Sequence, residues 1–224
     1  MTVVCLDLDG TLEDSREDMV AAVQRLRARL GLPPRPDADF RPHVNQGMDH
    51  LYARCFPEHL DGLDPDDPIR AALAAAYAAD YGARIADTTA LYPGMAETLA
   101  ALADRWPLAL VTNKPEALSA ALLAALHVAD HFATIIGGDT LAVAKPHPDT
   151  LAEAVRRAGP AIAATPPAIM IGDSAGDIRC ARDFGVPVIW CAWGYAAAPG
   201  PLPPDATAHH PAELPALVET LRAR

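Results

Sequence analysis

The sequence has no cluster of lysine and arginine: 18 basic residues stand against 29 acidic ones, for a formal net charge of −11. Charge of that sign argues against nucleic acid or an anionic membrane as the main partner. No long hydrophobic run is present either. The most extended apolar stretch, Ala117 to Val128, is interrupted by Ser119 and His127 and is too short to span a bilayer. The amino-terminal residues Met1 to Cys5 carry no basic segment, and acids begin at Asp7, so no signal peptide is expected and the chain reads as soluble and cytoplasmic. Cysteine is sparse. Cys5, Cys55, Cys180 and Cys191 are scattered without a C-x-x-C pair, which speaks against a zinc site or a disulfide framework and for buried, reduced thiols. No internal repeat is visible, and 224 residues suffice for one α/β core with a smaller inserted domain, not for two large independent ones.

What is present begins at Asp7-Leu8-Asp9-Gly10-Thr11-Leu12, entered directly from the apolar run Val3-Val4-Cys5-Leu6. A short β-branched run of this kind is expected of a parallel strand covered on both faces. Open α/β sheets bind ligands at the carboxyl ends of their strands, so two carboxylates there stand where chemistry is done. Gly10 allows a sharp turn and close approach of a ligand to the backbone. A carboxylate can attack phosphorus, and a second one two residues on can exchange protons with the leaving oxygen. The plainer alternative is a solvated acidic turn.

Beyond this turn, Ser15 is placed to cap a helix with apolar residues at Met19, Val20, Val23, Leu26 and Leu30, ended by Gly31. The next seventy or so residues show helical periodicity at Met48 to Cys55 and Ile69 to Tyr81, separated by linkers such as Asp61 to Pro68, and no strand. From about Tyr92 helices and strands alternate. Strands are expected at Leu108 to Val111, Phe132 to Ile136, Ala168 to Ile171 and Pro187 to Cys191, and helices at Gly94 to Asp104, Glu116 to Leu126, Pro148 to Ala158, Gly176 to Phe184 and Pro211 to Arg222. That alternation predicts a doubly wound parallel sheet, interrupted after its first strand by an all-helical insertion.

Three further polar groups follow later strands. Thr112 and Asn113 precede Lys114-Pro115, an arrangement that would equally well start a helix. Lys145 stands before Pro146 and would, alone, be an ordinary solvated lysine. Asp173 follows Gly172 at a strand tip and is an oxygen ligand of the kind Mg²⁺ prefers, while Ser174 and Asp177 have the spacing of a helix capping box. Taken jointly, acid, hydroxyl, lysine and acid at four strand ends match the needs of phosphoryl transfer. Asp7 would be the nucleophile, Asp9 the proton shuttle, Lys145 with Mg²⁺ the cations on the non-bridging oxygens, and Thr112 with Asn113 the donors that hold them.

The chain resembles the haloacid dehalogenase superfamily, and more narrowly its phosphoglycolate phosphatase-like group. The residues that carry the resemblance are Asp7 to Leu12, Thr112-Asn113, Lys145-Pro146 and Gly172 to Asp177, with Tyr92-Pro93-Gly94 and Gly137-Gly138-Asp139 in support. It covers the chain almost from end to end. It implies a Rossmann-like catalytic core at 1–13 and 89–224 and a helical cap at 14–88. It also implies that Asp7 becomes phosphorylated and that Asp9 protonates the leaving alkoxide and then activates water. Mg²⁺ would be held by Asp7, the Asp9 backbone carbonyl and Asp173, with Asp177 binding a metal-bound water or pairing with Lys145. Gly10, Thr11, Thr112, Asn113 and Lys114 would contact the substrate, a small phosphate ester such as 2-phosphoglycolate or a sugar phosphate. The protein would act as a monomer or homodimer.

Asp9 argues for phosphate chemistry, because dehalogenases of the superfamily generally lack that second acid. Phosphonatases use a cap lysine, and no lysine occurs before Lys114. A phosphomutase of the β-phosphoglucomutase kind, a pyrophosphatase and a non-enzymatic phospho-receiver are the alternatives. Two features stand apart from the core motifs. Glu13 occupies a position that is usually apolar in related sequences, and Arg41, His43, Asn45 and Gln46 form a stretch that could close over a substrate or simply be an exposed loop.

Overall fold

Val3-Val4-Cys5-Leu6 offers water no polar side chain, and all four residues are buried in strand β1 (Val3–Leu6). The other strands are β2 (Glu13–Asp14), β3 (Ala90–Leu91), β4 (Leu108–Val111), β5 (Phe132–Ile136), β6 (Ala168–Gly172), β7 (Val188–Cys191) and β8 (Ala206–Ala208). Six of them form one sheet in the order β5-β4-β1-β6-β7-β8, and β2 pairs with β3 separately. Every pairing in the large sheet is parallel, with Val4 beside Leu108 on one flank of β1 and Val3 beside Ala168 on the other. Successive strands run outward from β1 to β4 and β5, then return to its opposite side for β6, β7 and β8. The carboxyl ends of β1, β4 and β6 therefore meet at the topological switch point, where such sheets bind ligands. The computed structural model describes residues 2–159 and 167–223.

The chain divides into two compact units, Met1–Asp14 with Leu91–Arg224, and Ser15–Ala90. The second is helical, built from α1 (Arg16–Arg29), α2 (Met48–Cys55), α3 (Pro57–Leu60) and α4 (Pro68–Gly82). Helices α1 and α4 pack together, burying Met19, Val23 and Leu26 with Leu73, Tyr77 and Tyr81. Ser15 precedes α1 but does not cap it through its side chain; its hydroxyl lies 3.5 Å from Met19 Sδ. Asp67 caps α4 instead, accepting from Ile69 N at 2.9 Å. Charges buried in this unit are matched within it. Arg27 donates to Glu58 at 2.8 Å and to the carbonyl oxygens of Cys55 and Pro33, and its guanidinium lies over Phe40. Asp18 accepts four groups, the amides and hydroxyls of Thr88 and Thr89, at 2.7 to 2.9 Å through their nearest oxygens.

In the first unit the helices are α5 (Met95–Ala103), α6 (Glu116–Ala125), α7 (Asp149–Ala158), α8 (Ala175–Phe184) and α9 (Leu214–Arg222). Leu151, Ala154 and Val155 of α7 and Ile178 and Ala181 of α8 complete a core with Cys5, Val111, Met170, Val188 and Trp190. Among the described residues no helix is long and apolar enough to cross a membrane. The alternation expected of a doubly wound sheet is realised, with two departures. The sheet gains β8, a sixth strand that the short Ala-Thr-Ala segment after a proline-rich loop does not announce. The segment expected as one helix from Pro211 splits into a 3-10 turn, Pro211–Glu213, and α9, because Pro215 lacks the N–H needed inside a helix.

Candidate active site

Asp7 is the first residue after β1, and its amide donates to Ile171 O of β6 at 2.9 Å, which fixes its carboxylate beside the end of that strand. Asp173 follows β6 and Asp177 opens α8; ligand oxygens of Asp7, Asp173 and Asp177 lie within 4.8 Å of one another. All three residues are buried. Lys145 reaches in from the loop before α7, donating to Asp7 and to Asp177 at 2.7 Å each. The capping box of α8 also forms: Ser174 Oγ accepts from Asp177 N, and Asp177 Oδ2 accepts from Ser174 N at 3.0 Å. Asp177 thus caps with one oxygen and holds Lys145 with the other.

Asp173 is positioned by Thr11, expected from the sequence as a substrate contact, and by Trp190 and Tyr195, which the sequence does not mark. Tyr195 N donates to its Oδ2 at 2.7 Å, Trp190 Nε1 donates to its backbone carbonyl at 2.8 Å, and Thr11 Oγ1 donates to Oδ1 at 3.4 Å. Trp193 Nε1 donates to Thr11 O at 3.1 Å, tying the loop after β7 to the loop after β1. Two glycines make the approach possible. Gly10 has φ +84°, and a Cβ there would sit 2.5 Å from Asp173 Oδ2; a Cβ on Gly194 would collide with the same side chain. The clue to the second loop was its place after a buried strand, the same logic that marks the other groups.

The remaining expected residues divide. Thr112 is buried after β4, and its hydroxyl accepts from Lys114 N at 3.2 Å. Asn113 Nδ2 donates to Lys145 O at 3.1 Å, while its buried Oδ1 has no hydrogen-bond partner among the described residues. Lys114, expected as a substrate contact, is bound to Asp9: its Nζ lies 2.5 Å from Asp9 Oδ1 with the side chain almost wholly buried. Both lysines of the chain therefore sit among its acids at this pole. In the inserted unit, Arg41 pairs with Glu17, His43 Nδ1 lies 3.0 Å from His50 Nε2, and Asn45 is exposed.

The electrostatics follow from the crowding. Burial pushes the Asp7 carboxyl up to about 8; Lys145 opposes this, while Asp177 and Asp173 add to it. Burial and then Asp177 raise Asp173 to about 6, against the Tyr195 amide and Lys145. Burial disfavours the charge on Lys145, but Asp177 and Asp7 outweigh it and hold the ammonium protonated. Three carboxyls face one ammonium in this cluster. Oxygen donors with excess negative charge in a small buried space suit a hard divalent cation, so the residues fit Mg²⁺.

The haloacid dehalogenase-like hydrolase model matches residues 4–191. The chain is 36% identical over 213 residues to the phosphoglycolate phosphatase of Chromobacterium violaceum, covering 94% of this chain and 93% of that protein. The structure is similar to a haloacid dehalogenase-like family hydrolase from Streptococcus pneumoniae, at 27% identity and TM-score 0.77, covering 97% of this chain and 98% of that one. It is also similar to CbbY from Rhodobacter sphaeroides, solved in complex with phosphate, at 26% identity and TM-score 0.75, with 96% of each chain covered. The strand-end acids, the parallel sheet with its helical insertion and the extent of these matches lead to one assignment: the chain belongs to the haloacid dehalogenase-like hydrolases and is phosphoglycolate phosphatase-like.

Proposed function

We propose that this chain is a Mg²⁺-dependent phosphatase that hydrolyses a small phosphomonoester, of the 2-phosphoglycolate or sugar phosphate type, through an aspartyl-phosphate on Asp7. The observation that carries the reading is the buried cluster of Asp7, Asp173 and Asp177 around Lys145 at the switch point of the sheet. The names of the relatives, phosphoglycolate phosphatases at 33 to 38% identity, support the substrate class.

Asp7 attacks phosphorus as the bond to the alkoxide breaks, and Asp9 gives its proton to the departing oxygen. Asp9, now a carboxylate, takes a proton from water whose oxygen attacks the phosphoryl group, releasing phosphate and restoring Asp7. Lys145 holds Asp7 in place and brings positive charge to the same oxygens. Thr112 and Asn113 stand at the end of β4 to receive the phosphoryl group. Asp7, Asp173 and the Asp9 backbone carbonyl would hold Mg²⁺, with Asp177 behind them. When bound, it supplies charge to the non-bridging oxygens.

The test is hydrolysis of p-nitrophenyl phosphate and of 2-phosphoglycolate with Mg²⁺ and with excess EDTA, together with acid-quench trapping of labelled protein. EDTA should abolish turnover. Asp7→Asn should lose on the order of 10⁴-fold or more in kcat together with the trapped label. Full activity in Asp7→Asn would remove the nucleophile assignment.

A further inference from the structure

Gly137, Gly138 and Asp139 form the loop after β5, and no step of the chemistry uses them, yet they are moulded to the turn after β4. Helix α6 begins at Glu116 behind Pro115, with no side-chain cap from Pro115 itself. Thr112 Oγ1 accepts from Lys114 N and Asn113 Nδ2 donates to Lys145 O, so neither supplies the oxygen that a helix start takes from a nearby side chain. Asp139 supplies it from the next loop. Its Oδ1 accepts from Glu116 N at 2.7 Å.

The rest of the fit is backbone against backbone. Thr112 N donates to Ile136 O at 2.9 Å, and Gly138 N donates to Lys114 O at 3.0 Å. A Cβ on Gly137 would lie 2.3 Å from Glu116 N, and one on Gly138 would lie 2.4 Å from Asn113 O, so a side chain at either place would push the loops apart. Thr140 closes the contact, its hydroxyl accepting from Gly137 N at 2.8 Å and donating to Glu116 Oε2 at 2.5 Å. The two loops therefore take one position together, and the first of them carries Thr112 and Asn113. Asp139 itself is exposed, so core packing does not call for it. A fixed negative charge is a poor neighbour for a phosphoryl group, which leaves the geometry that Asp139 imposes as its contribution.

We propose that Asp139 is a positioning residue for the phosphoryl-receiving turn: by capping α6 from the loop after β5, it holds Thr112 and Asn113 where they meet a phosphate oxygen. This rests on the phosphatase reading above. Asp139 touches no reacting atom, and no proton passes through it.

The test reads affinity for inorganic phosphate, as its inhibition constant against hydrolysis of p-nitrophenyl phosphate by the full chain with Mg²⁺, together with kcat/KM. Asp139→Ala should raise the inhibition constant at least about fivefold and lower kcat/KM as far, the cost of misplaced binding groups. Loss of a negative charge, acting alone, would have the opposite sign and tighten phosphate. Asp139→Asn keeps an acceptor oxygen for Glu116 N and should stay within about twofold of the wild-type constant. Gly138→Ala keeps the carboxylate but parts the loops, and should weaken phosphate at least as much as Asp139→Ala. The Asp139 variants, altered at an exposed side chain, decide the matter should Gly138→Ala not fold. Asp67→Ala removes the corresponding cap of α4 in the helical unit and should leave the constant within about twofold of the wild type, which separates positioning from loss of a cap as such. An inhibition constant at or below the wild-type value in Asp139→Ala, or an equal rise in Asp139→Asn or in Asp67→Ala, would overturn the proposal. A wild type inactive on p-nitrophenyl phosphate would instead sink the phosphatase reading, and this inference with it.

Discussion

Asp7 and Asp18 are both buried aspartates, one at the end of β1 in the sheet unit and one on α1 in the inserted helical unit, and the protein treats them in opposite ways. Burial works against the charge of Asp18, yet the hydroxyls and amides of Thr88 and Thr89 outweigh it and lower its pKa. Burial pushes Asp7 up to about 8, and Lys145, the one ammonium beside it, does not outweigh that burial and two further acids. Arg27 and Glu58 repeat the first pattern as a matched pair. The helical unit pairs the buried charges of Asp18 and Arg27 from within; the sheet unit gathers more negative charge than it neutralises. Saturated charge holds a fold together, whereas unsaturated charge of one sign is a binding site.

The strongest way to break this contrast is to remove Lys145. In Lys145→Ala three carboxyls lose their ammonium, and kcat should fall on the order of 10²- to 10³-fold, as for loss of one preorganised charge at a reacting oxygen. Stability without Mg²⁺ should drop by about 3–5 kcal/mol, the usual result of stripping one partner from a buried ionic group. Added Mg²⁺ should restore much of the stability and little of the rate. Equal urea midpoints for the variant and the wild type in EDTA would show that the cluster is not held by its lysine.

Asp18→Ala is the counterpart in the helical unit. It should lower stability by about 2–3 kcal/mol, since hydrogen bonds to a charged group are lost and the Thr88 and Thr89 donors are left facing the gap. Its kcat per folded molecule should stay within about twofold of the wild type, because the groups that Asp18 holds, the amides and hydroxyls of Thr88 and Thr89, have no part in the proposed chemistry. A large fall in kcat with an unchanged urea midpoint would assign Asp18 to the chemistry instead.

How far the contrast could be read from the sequence differs between its two sides. The apolar run before Asp7, the glycine before Asp173 and the alternation after Tyr92 mark the sheet and its acidic pole, because strand ends are local features. The partners were not legible. Lys114 and Asp9 are 105 residues apart, and nothing local distinguishes a lysine that binds an acid from one that binds phosphate. Glu13 stands out in the sequence as a charge at a usually apolar position, but whether it is buried is not a local feature; its burial follows from the packing of the turn after β1. The loop bearing Gly194 and Tyr195 lies beyond the motifs, and only the fold brings it onto Asp173. In the helical unit the threonines that hold Asp18 lie 70 and 71 residues away, across segments whose periodicity specifies helices but not their docking.

The smallest effect is also the most direct reading of the contrast, because the two kinds of aspartate give stability opposite slopes with pH. Asp7 at about 8 and Asp173 at about 6 stand above the unfolded value of about 3.9. A raised carboxyl binds its proton more tightly in the folded state. Its stabilising effect is complete below the unfolded pKa and is lost as pH climbs through 6 and then 8. Asp18 is lowered, so its contribution is present above the unfolded pKa and disappears as pH falls. In EDTA, the melting temperature should therefore decline from pH 5 to pH 8.5, by about 2–4 °C for each kcal/mol lost in a chain of this size. Mg²⁺ should flatten that decline by neutralising the acids that cause it. Asp18→Ala should weaken the fall on the acid side and leave the alkaline slope unchanged, whereas Asp7→Asn should do the reverse. A slope that Mg²⁺ does not alter would mean that the excess charge at the end of the sheet is not what a divalent cation binds.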